Sequence, residues 1–351
     1  MRQALATEFN LANIYLNSAT YGLACDKTIQ VMQEDLHKWR LGTLKPHEYD
    51  ETINRCRSLF ARIVDTEKEN IALANQVAPL VGMLAASMPP GTKVLTAKDD
   101  FTSLLFPFLA QTKNNIQVIE ASLDKLADSI DHSIDWVAVS IVQSKNGMLA
   151  DLAEIHERAK RVGAKVLLDA TQSAGWLKVN PNYWDMLVCG AYKWLLAPRG
   201  TAFAAIKPEL AAQITPINAN WYAGERIWDS IYGAPLRLAH DARRFDISPA
   251  WLCWAGTLPA LEFIVNVGVD EIHEHNLHLA NRFCELMNLA QTESAIVSIK
   301  GEGIDNKLKA AKIEAAVRAG AVRLSFHLYN SERDVLAVVK ALNKGRPIMP
   351  S

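Results

Sequence analysis

Short apolar runs without polar alternation recur along the chain, among them KVLL at residues 165–168 and MLV at residues 186–188. Such runs suit strands buried on both faces of a parallel sheet. TKVLTA, NIQVIEA, DWVAVSIV and the TAFAAI that follows a glycine turn have the same character. Between them lie stretches with apolar positions at helical spacing: KTIQVMQEDLHKWRLG, residues 48–64, LDKLADSI and DLAEIHERAKRVGA. The segment ENIALANQVAPLVGMLAASM changes from a short strand to a helix around residues 75–78. Strands alternating with helices through residue 205 predict right-handed crossovers and a mostly parallel sheet.

The pattern then changes. Residues 215–249 carry few helical or strand signals but hold Trp221, Tyr222, Trp228 and Tyr232, and a loop this long inside a compact domain is usually functional. From Ser248 the chain is strongly helical, and near its end an alternating strand, VRLSF, precedes a helix starting near Ser331 with an S-x-x-D capping pattern. We therefore expect a large domain over residues 15–247 and a smaller α+β domain over residues 248–351, joined by residues 1–14.

With 351 residues, half of them hydrophobic, the chain can build a large core. A net charge of -1 with dispersed lysines and arginines points away from nucleic acid and anionic membranes and towards a small-molecule partner. Five scattered cysteines without a CxxC spacing indicate neither a disulfide framework nor a zinc site, and a reducing compartment fits them. His273, His275 and His278 do not converge on one ion, so no metal is expected, and a solvated helix face is the reading for that segment. The first residues lack an apolar signal core, and no stretch reaches the ~20 apolar residues of a membrane span, so the expected location is cytoplasmic.

The candidate chemistry lies in residues 165–199. Asp169 stands where the KVLL strand would stop, at the edge where open α/β sheets bind ligands, with Gln172 three residues on and Lys193 in AYKW after the MLV run. A lysine can form a Schiff base with an aldehyde, and an acid opposite can keep a pyridine ring protonated. Singly, such an acid is often a helix cap and such a lysine a snorkelling surface residue; as an ordered set they describe a pyridoxal 5'-phosphate site. A helix start near residues 75–78 offers unpaired backbone N–H groups for a phosphate.

D-A-T-Q-S-A-G followed by Y-K-W-L-L-A-P-R-G-T resembles the class V aminotransferase family of fold-type I pyridoxal-phosphate enzymes. That family includes cysteine desulfurases, kynureninases and isopenicillin N epimerase-like proteins. The resemblance covers nearly the whole chain and implies a large domain built on a mostly parallel seven-stranded sheet. It implies Lys193 and Asp169 as catalytic residues and Gln172 on the ring's phenolic oxygen. Asn75, Gln76 and Val77 would hold the phosphate, Val77 through its backbone only. Phe101 would stack on the ring and Tyr192 reach the phosphate, both as in kynureninases. Gln143 and Ser144 would lie near the ring oxygen or the substrate amine, or in a loop with no ligand. Trp221, Tyr222 and Gly224 would approach the other subunit's site in a homodimer with shared active sites, with Arg243 or Arg244 shaping that boundary. Asn17, Ser18 and Tyr21 would border the mouth as substrate contacts, or be ordinary turn residues, and Arg323 would grip the substrate carboxylate.

The implied reaction is that of an aminotransferase or a carbon–sulfur or carbon–carbon lyase acting on an amino acid. An epimerase is the alternative among enzymes, and a dimeric cofactor-binding module without turnover the alternative outside them. No cysteine lies between Cys284 and Ser351, which argues against a desulfurase carrying sulfur on its own thiol. No separate DNA-reading region is present to make the chain a regulator.

Overall fold

The computed structural model describes residues 8, 9 and 11–343. A short strand, β1 (Ile14–Tyr15), leads into α1 (Asp26–Arg40) and α2 (Tyr49–Ile63). The apolar runs then become β2 (Ile71–Ala74), β3 (Lys93–Ala97), β4 (Gln117–Ala121), β5 (Trp136–Ser140), β6 (Lys165–Asp169), β7 (Met186–Gly190) and β8 (Ala202–Ile206). They form one seven-stranded sheet in the order β2-β8-β7-β6-β5-β3-β4. All neighbours are parallel except β8, which runs antiparallel to β2 and β7. The crossovers are α3 (Val77–Ala86), α4 (Thr102–Leu109) and α5 (Leu152–Val162), and α6 (Pro208–Ala211) follows β8.

Burial on both faces explains the unalternated runs. In β5, Val137 and Val139 enter the core on one side while Trp136 and Ala138 enter the core on the other. The helix expected over LDKLADSI is instead two 3-10 turns, Leu123–Lys125 and Ala127–Ser129, pinned by the fully buried Leu126. Helix α5 carries the expected termination signals: Asp151 accepts the Glu154 N–H, and Gly163 takes the left-handed conformation at its end.

After the 215–249 loop come α7 (Trp251–Val267), α8 (Val269–Leu286), β9 (Ile296–Ile299), α9 (Ile304–Ala310), β10 (Ile313–Glu314), β11 (Ala316–Arg318), β12 (Ala321–Ser325) and α10 (Glu332–Leu342). β11, β12 and β9 form an antiparallel sheet with β12 in the centre, covered by α8 and α10. Ser331 and Asp334 make the reciprocal cap that opens α10. Helix α7, expected in the second domain, packs on α1 and α2 and shares the core of the large sheet. β1 pairs in parallel with β10, so the start of the described chain is stitched to its end.

Two ties hold the site's borders. The buried Arg57–Asp246 ion pair, 2.6 Å, joins α2 to the end of the long loop, and Asp246 also accepts the Leu73 N–H of β2. Residues 17–22 form a strap over the loop after β7: Gly22 N–H donates to Tyr192 O at 2.9 Å. Among the described residues no single helix is long and apolar enough to cross a membrane.

Candidate active site

Asp169 is the last residue of β6, and its carboxylate is buried. It accepts the Thr171 N–H at 2.8 Å. Burial pushes its pKa up, while the Thr171 bonds and the nearby Lys193 pull it down. Lys193 follows β7 in a tight turn that ends at Leu196, which sits in the left-handed region at φ 59. Its amine is buried, and burial lowers its pKa to about 8, with Asp169 opposing the shift and Arg323 adding to it. The amine lies 5.1 Å from the centre of the Phe101 ring and 5.6 Å from that of Tyr192. Phe101 is no core residue. It is 42% exposed at the head of α4, a flat face over the amine rather than a filler.

Asp100 sets that face. Its carboxylate accepts the Phe101 N–H at 2.6 Å, the Ser140 N–H at 2.9 Å, the Ser140 hydroxyl at 2.5 Å and the Gln143 amide at 3.2 Å. One buried acid thereby fixes the head of α4 to the end of β5.

The pocket beside Asp169 and Tyr192 is closed on one side by Asn75, Gln76 and Val77. Gln76 caps α3 without any side-chain bond, so the N–H groups of Val77 and Ala78 are left open, while Pro79 has none to offer. The Asn75 amide oxygen is buried without a partner, so this side chain has a hydrogen bond still to make. Ser103, Thr171 and Thr201 add hydroxyls, and Arg199, whose guanidinium lies 5.3 Å from the Tyr192 ring centre, adds a cation. Open N–H groups, hydroxyls and an arginine make a donor set that suits a phosphate. The acid, amine and aromatic face beyond it suit a pyridine aldehyde, so the residues present fit pyridoxal phosphate. Arg199, Thr201, Ser103 and Asp100 are site residues that the sequence left unassigned. The first two stand inside the quoted A-P-R-G-T, where an unused arginine was the available signal.

Gln172 differs from expectation. Its oxygen accepts Trp194 Nε1–H at 2.8 Å, and its amide nitrogen donates to Ala19 O at 2.9 Å and to Ser144 Oγ at 3.0 Å. The group is committed to the protein, tying the strap to the Lys193 turn, and is not free for a ring oxygen.

Arg323 is 1% exposed, because β12 is the central strand of its sheet and its side chain spans the gap to the large domain. It donates to Ser144 O, to Ser144 Oγ at 3.2 Å and to Thr20 Oγ1 at 2.7 Å, while its Nε is buried and unpartnered. Asn17, bridged to Ser325, also ends in a buried, unpartnered oxygen. Tyr21 reaches the Tyr192 ring at 6.0 Å between centres, and Ser18 is bonded to Tyr329.

Of the long loop's aromatics, Tyr222 is the one committed inside its own subunit. Tyr222 is 2% exposed, with its hydroxyl 3.3 Å from Asp50, so it is locked in its own subunit's core and cannot reach out to a substrate. Trp221 packs against Tyr222 and Trp228 and lines a separate pocket with Gly224. Arg243 donates to Gly224 O at 3.0 Å, which braces the loop. Of the three histidines of α8, His273 and His275 are half-buried, meeting Trp176 O and Asn330 O, while His278 lies on the solvated face beside Glu332.

The family model for aminotransferase class V matches residues 14–338. An uncharacterized aminotransferase, YcbU, of Bacillus subtilis is 27% identical over 80% of this chain and 80% of its own length. A probable cysteine desulfurase of Ureaplasma parvum is 22% identical over 94% of this chain and 93% of its own. Among solved structures, the cystine C–S lyase C-DES in complex with its product cysteine persulfide superposes with a TM-score of 0.84 at 18% identity, covering 94% of this chain and 97% of that one. That likeness is one of fold.

Proposed function

Because the chain belongs to the class V aminotransferase family, whose cofactor is pyridoxal phosphate, we propose that it works at the α-carbon of an amino acid held by Arg323. It is an enzyme of the aminotransferase or lyase type. The observation that carries the reading is a buried amine, Lys193, set 5.1 Å from the Phe101 ring and within electrostatic reach of a buried acid, Asp169, which lines one pocket with Phe101.

When bound, the cofactor supplies an electron-withdrawing ring that acidifies the bonds at the substrate's α-carbon. Asp169, with a pKa raised by burial, holds a proton at the pyridine nitrogen. The N–H groups at the start of α3, with Arg199, hold the phosphate. Lys193 would hold the cofactor's aldehyde, and its amine would carry a proton to and from the α-carbon. Phe101 would cover the ring and keep water from one face. Arg323 fixes the carboxylate and so decides which α-carbon bond faces the ring. Gln172 and Ser144 orient Arg323 and the strap.

No thiol is placed to receive sulfur. Cys25, Cys56, Cys189 and Cys284 are buried, and burial raises the thiol of the partly exposed Cys253, which lies against Arg199 O. This favours transamination, or a lyase step that releases its product directly. The enzyme acts as a homodimer in the cytoplasm. The test is a panel of amino acids and cysteine conjugates offered to the holoenzyme. Pyruvate with ammonia marks elimination, and dependence on an added keto-acid marks transamination. If no amino acid moves the cofactor's visible band near about 420 nm, the reading fails.

A further inference from the structure

Arg323 is a buried cation without a counter-charge. Among the described residues it forms no ion pair, its Nε has no partner, and nothing raises its pKa, which burial, then Arg318, lowers to about 10. A second cation stands beside it. Arg318, on β11, pairs with Ala321, two residues before Arg323 on β12, so both arginines project from the same face of the sheet. Ala321 is only a methyl, which leaves Arg318 room to lean towards Arg323. Both guanidiniums donate to one oxygen, Thr20 Oγ1, Arg323 at 2.7 Å and Arg318 at 3.3 Å.

Arg318 is otherwise uncommitted. Its only other hydrogen bond goes to the backbone oxygen of Val317, 2.9 Å away, and it too forms no ion pair among the described residues. Thr20 belongs to the strap that passes directly over Lys193, where a Cβ added at Gly22 would lie 1.9 Å from Lys193 O. The two cations therefore stand side by side on one face of the sheet, Arg323 buried and Arg318 exposed. Two guanidiniums sharing one neutral hydroxyl repel each other, and anions between them would relieve that repulsion.

One anion, the α-carboxylate, belongs to Arg323. The geometry points to Arg318 as the reader of a second acidic group, so that the substrate is an α-amino acid whose side chain ends in a carboxylate or a sulfur oxyacid. The assignment rests on the α-carbon reading above and narrows it. Neutral and cationic side chains would leave Arg318 facing Arg323 unscreened, so the pair also selects against them. Thr20 is a positioning residue, since it sets the spacing of the two cations.

The experiment titrates the holoenzyme at low salt, where an exposed cation is least screened, with aspartate, glutamate and cysteine sulfinate and with the neutral asparagine, glutamine and alanine. Binding is read from the cofactor's visible band and, independently, from heat released in calorimetry. We expect at least about tenfold tighter binding of each acid that fits than of its neutral counterpart, as one charge-assisted bidentate contact provides. Arg318→Ala weakens the acidic ligand about 10- to 100-fold and leaves the neutral ones unchanged, and Arg318→Lys recovers part of the loss. Arg318 is exposed, so the variant keeps its fold, and an unchanged band from the bound cofactor verifies this. Whether carboxylate or sulfinate binds tighter distinguishes the two kinds of acid, and either supports the assignment. Equal binding of aspartate and asparagine and of the other pairs, or an equal effect of Arg318→Ala on both sets, overturns it while the α-carbon reading stands. A band that no amino acid moves overturns both.

Discussion

Lys193 and Asp169 could be named from the sequence because the cofactor's chemistry dictates an amine and an acid, and both follow apolar runs that end at a sheet edge. Asp100 could not. An aspartate before Phe101 reads as an ordinary turn, and its meaning lies in Ser140, 40 residues away in the chain. The lowered pKa of Lys193 gives a direct test. Attachment of the cofactor needs the free amine, so the rate at which the apoprotein reloads with pyridoxal phosphate should rise with pH, with a midpoint near about 8 in stopped-flow absorbance. A midpoint near the ordinary lysine value would mean that the amine is not buried as described. Lys193→Ala should abolish the borohydride-stable adduct between cofactor and protein in mass spectrometry. Asp169→Asn should still take up cofactor but lose about 10²- to 10⁴-fold in turnover, the range of a lost proton-holding group.

At the level of elements, the strand and helix alternation was legible because buried parallel strands leave unbroken apolar runs. The exceptions have local causes. LDKLADSI has helical spacing but folds as two turns about the single buried Leu126, and Arg323 sits in an alternating pattern whose outward face meets the other domain. Trp221 and Tyr222 looked available because no periodicity claimed them, yet Asp50, far off in sequence, draws the tyrosine inwards. The strap at residues 17–22 depends on the absence of a side chain at Gly22. Gly22→Ala should push the strap off Lys193 O and displace Thr20, raising KM more than it lowers kcat in steady-state kinetics. The Arg57–Asp246 pair, 4% and 0% exposed, pins the long loop. Arg57→Ala leaves a buried carboxylate alone and should cost about 3–5 kcal/mol, seen as a lower urea midpoint.

Across the whole molecule, the two domains meet through His327 as well as Arg323. His327 donates from Nε2 to Trp194 O at 3.1 Å, and burial depresses its pKa to about 3. A base whose folded pKa lies below its unfolded value binds more protons when unfolded, so its share of stability is present above pH 6.5 and lost as pH falls towards 3. The urea midpoint should therefore drop across that window, and His327→Phe should flatten the drop at the price of a lower plateau. Lys193 acts in the opposite part of the scale. Its lowered pKa makes the apoprotein gain stability as pH rises from about 8 to 10.5.

The pairing of β1 with β10 bears on how the protein is made. Ala19 N–H finds its acceptor, Ser325 Oγ, 306 residues further along. A chain emerging vectorially from the ribosome can shape the seven-stranded sheet early, but its entrance strap is held by Tyr192 and Gln172 without Arg323 and Ser325 until the last strands bring them. Nascent chains halted before β12 should thus have a formed sheet with an open doorway, and protease should nick residues 17–22 in them while sparing the same stretch in the finished protein.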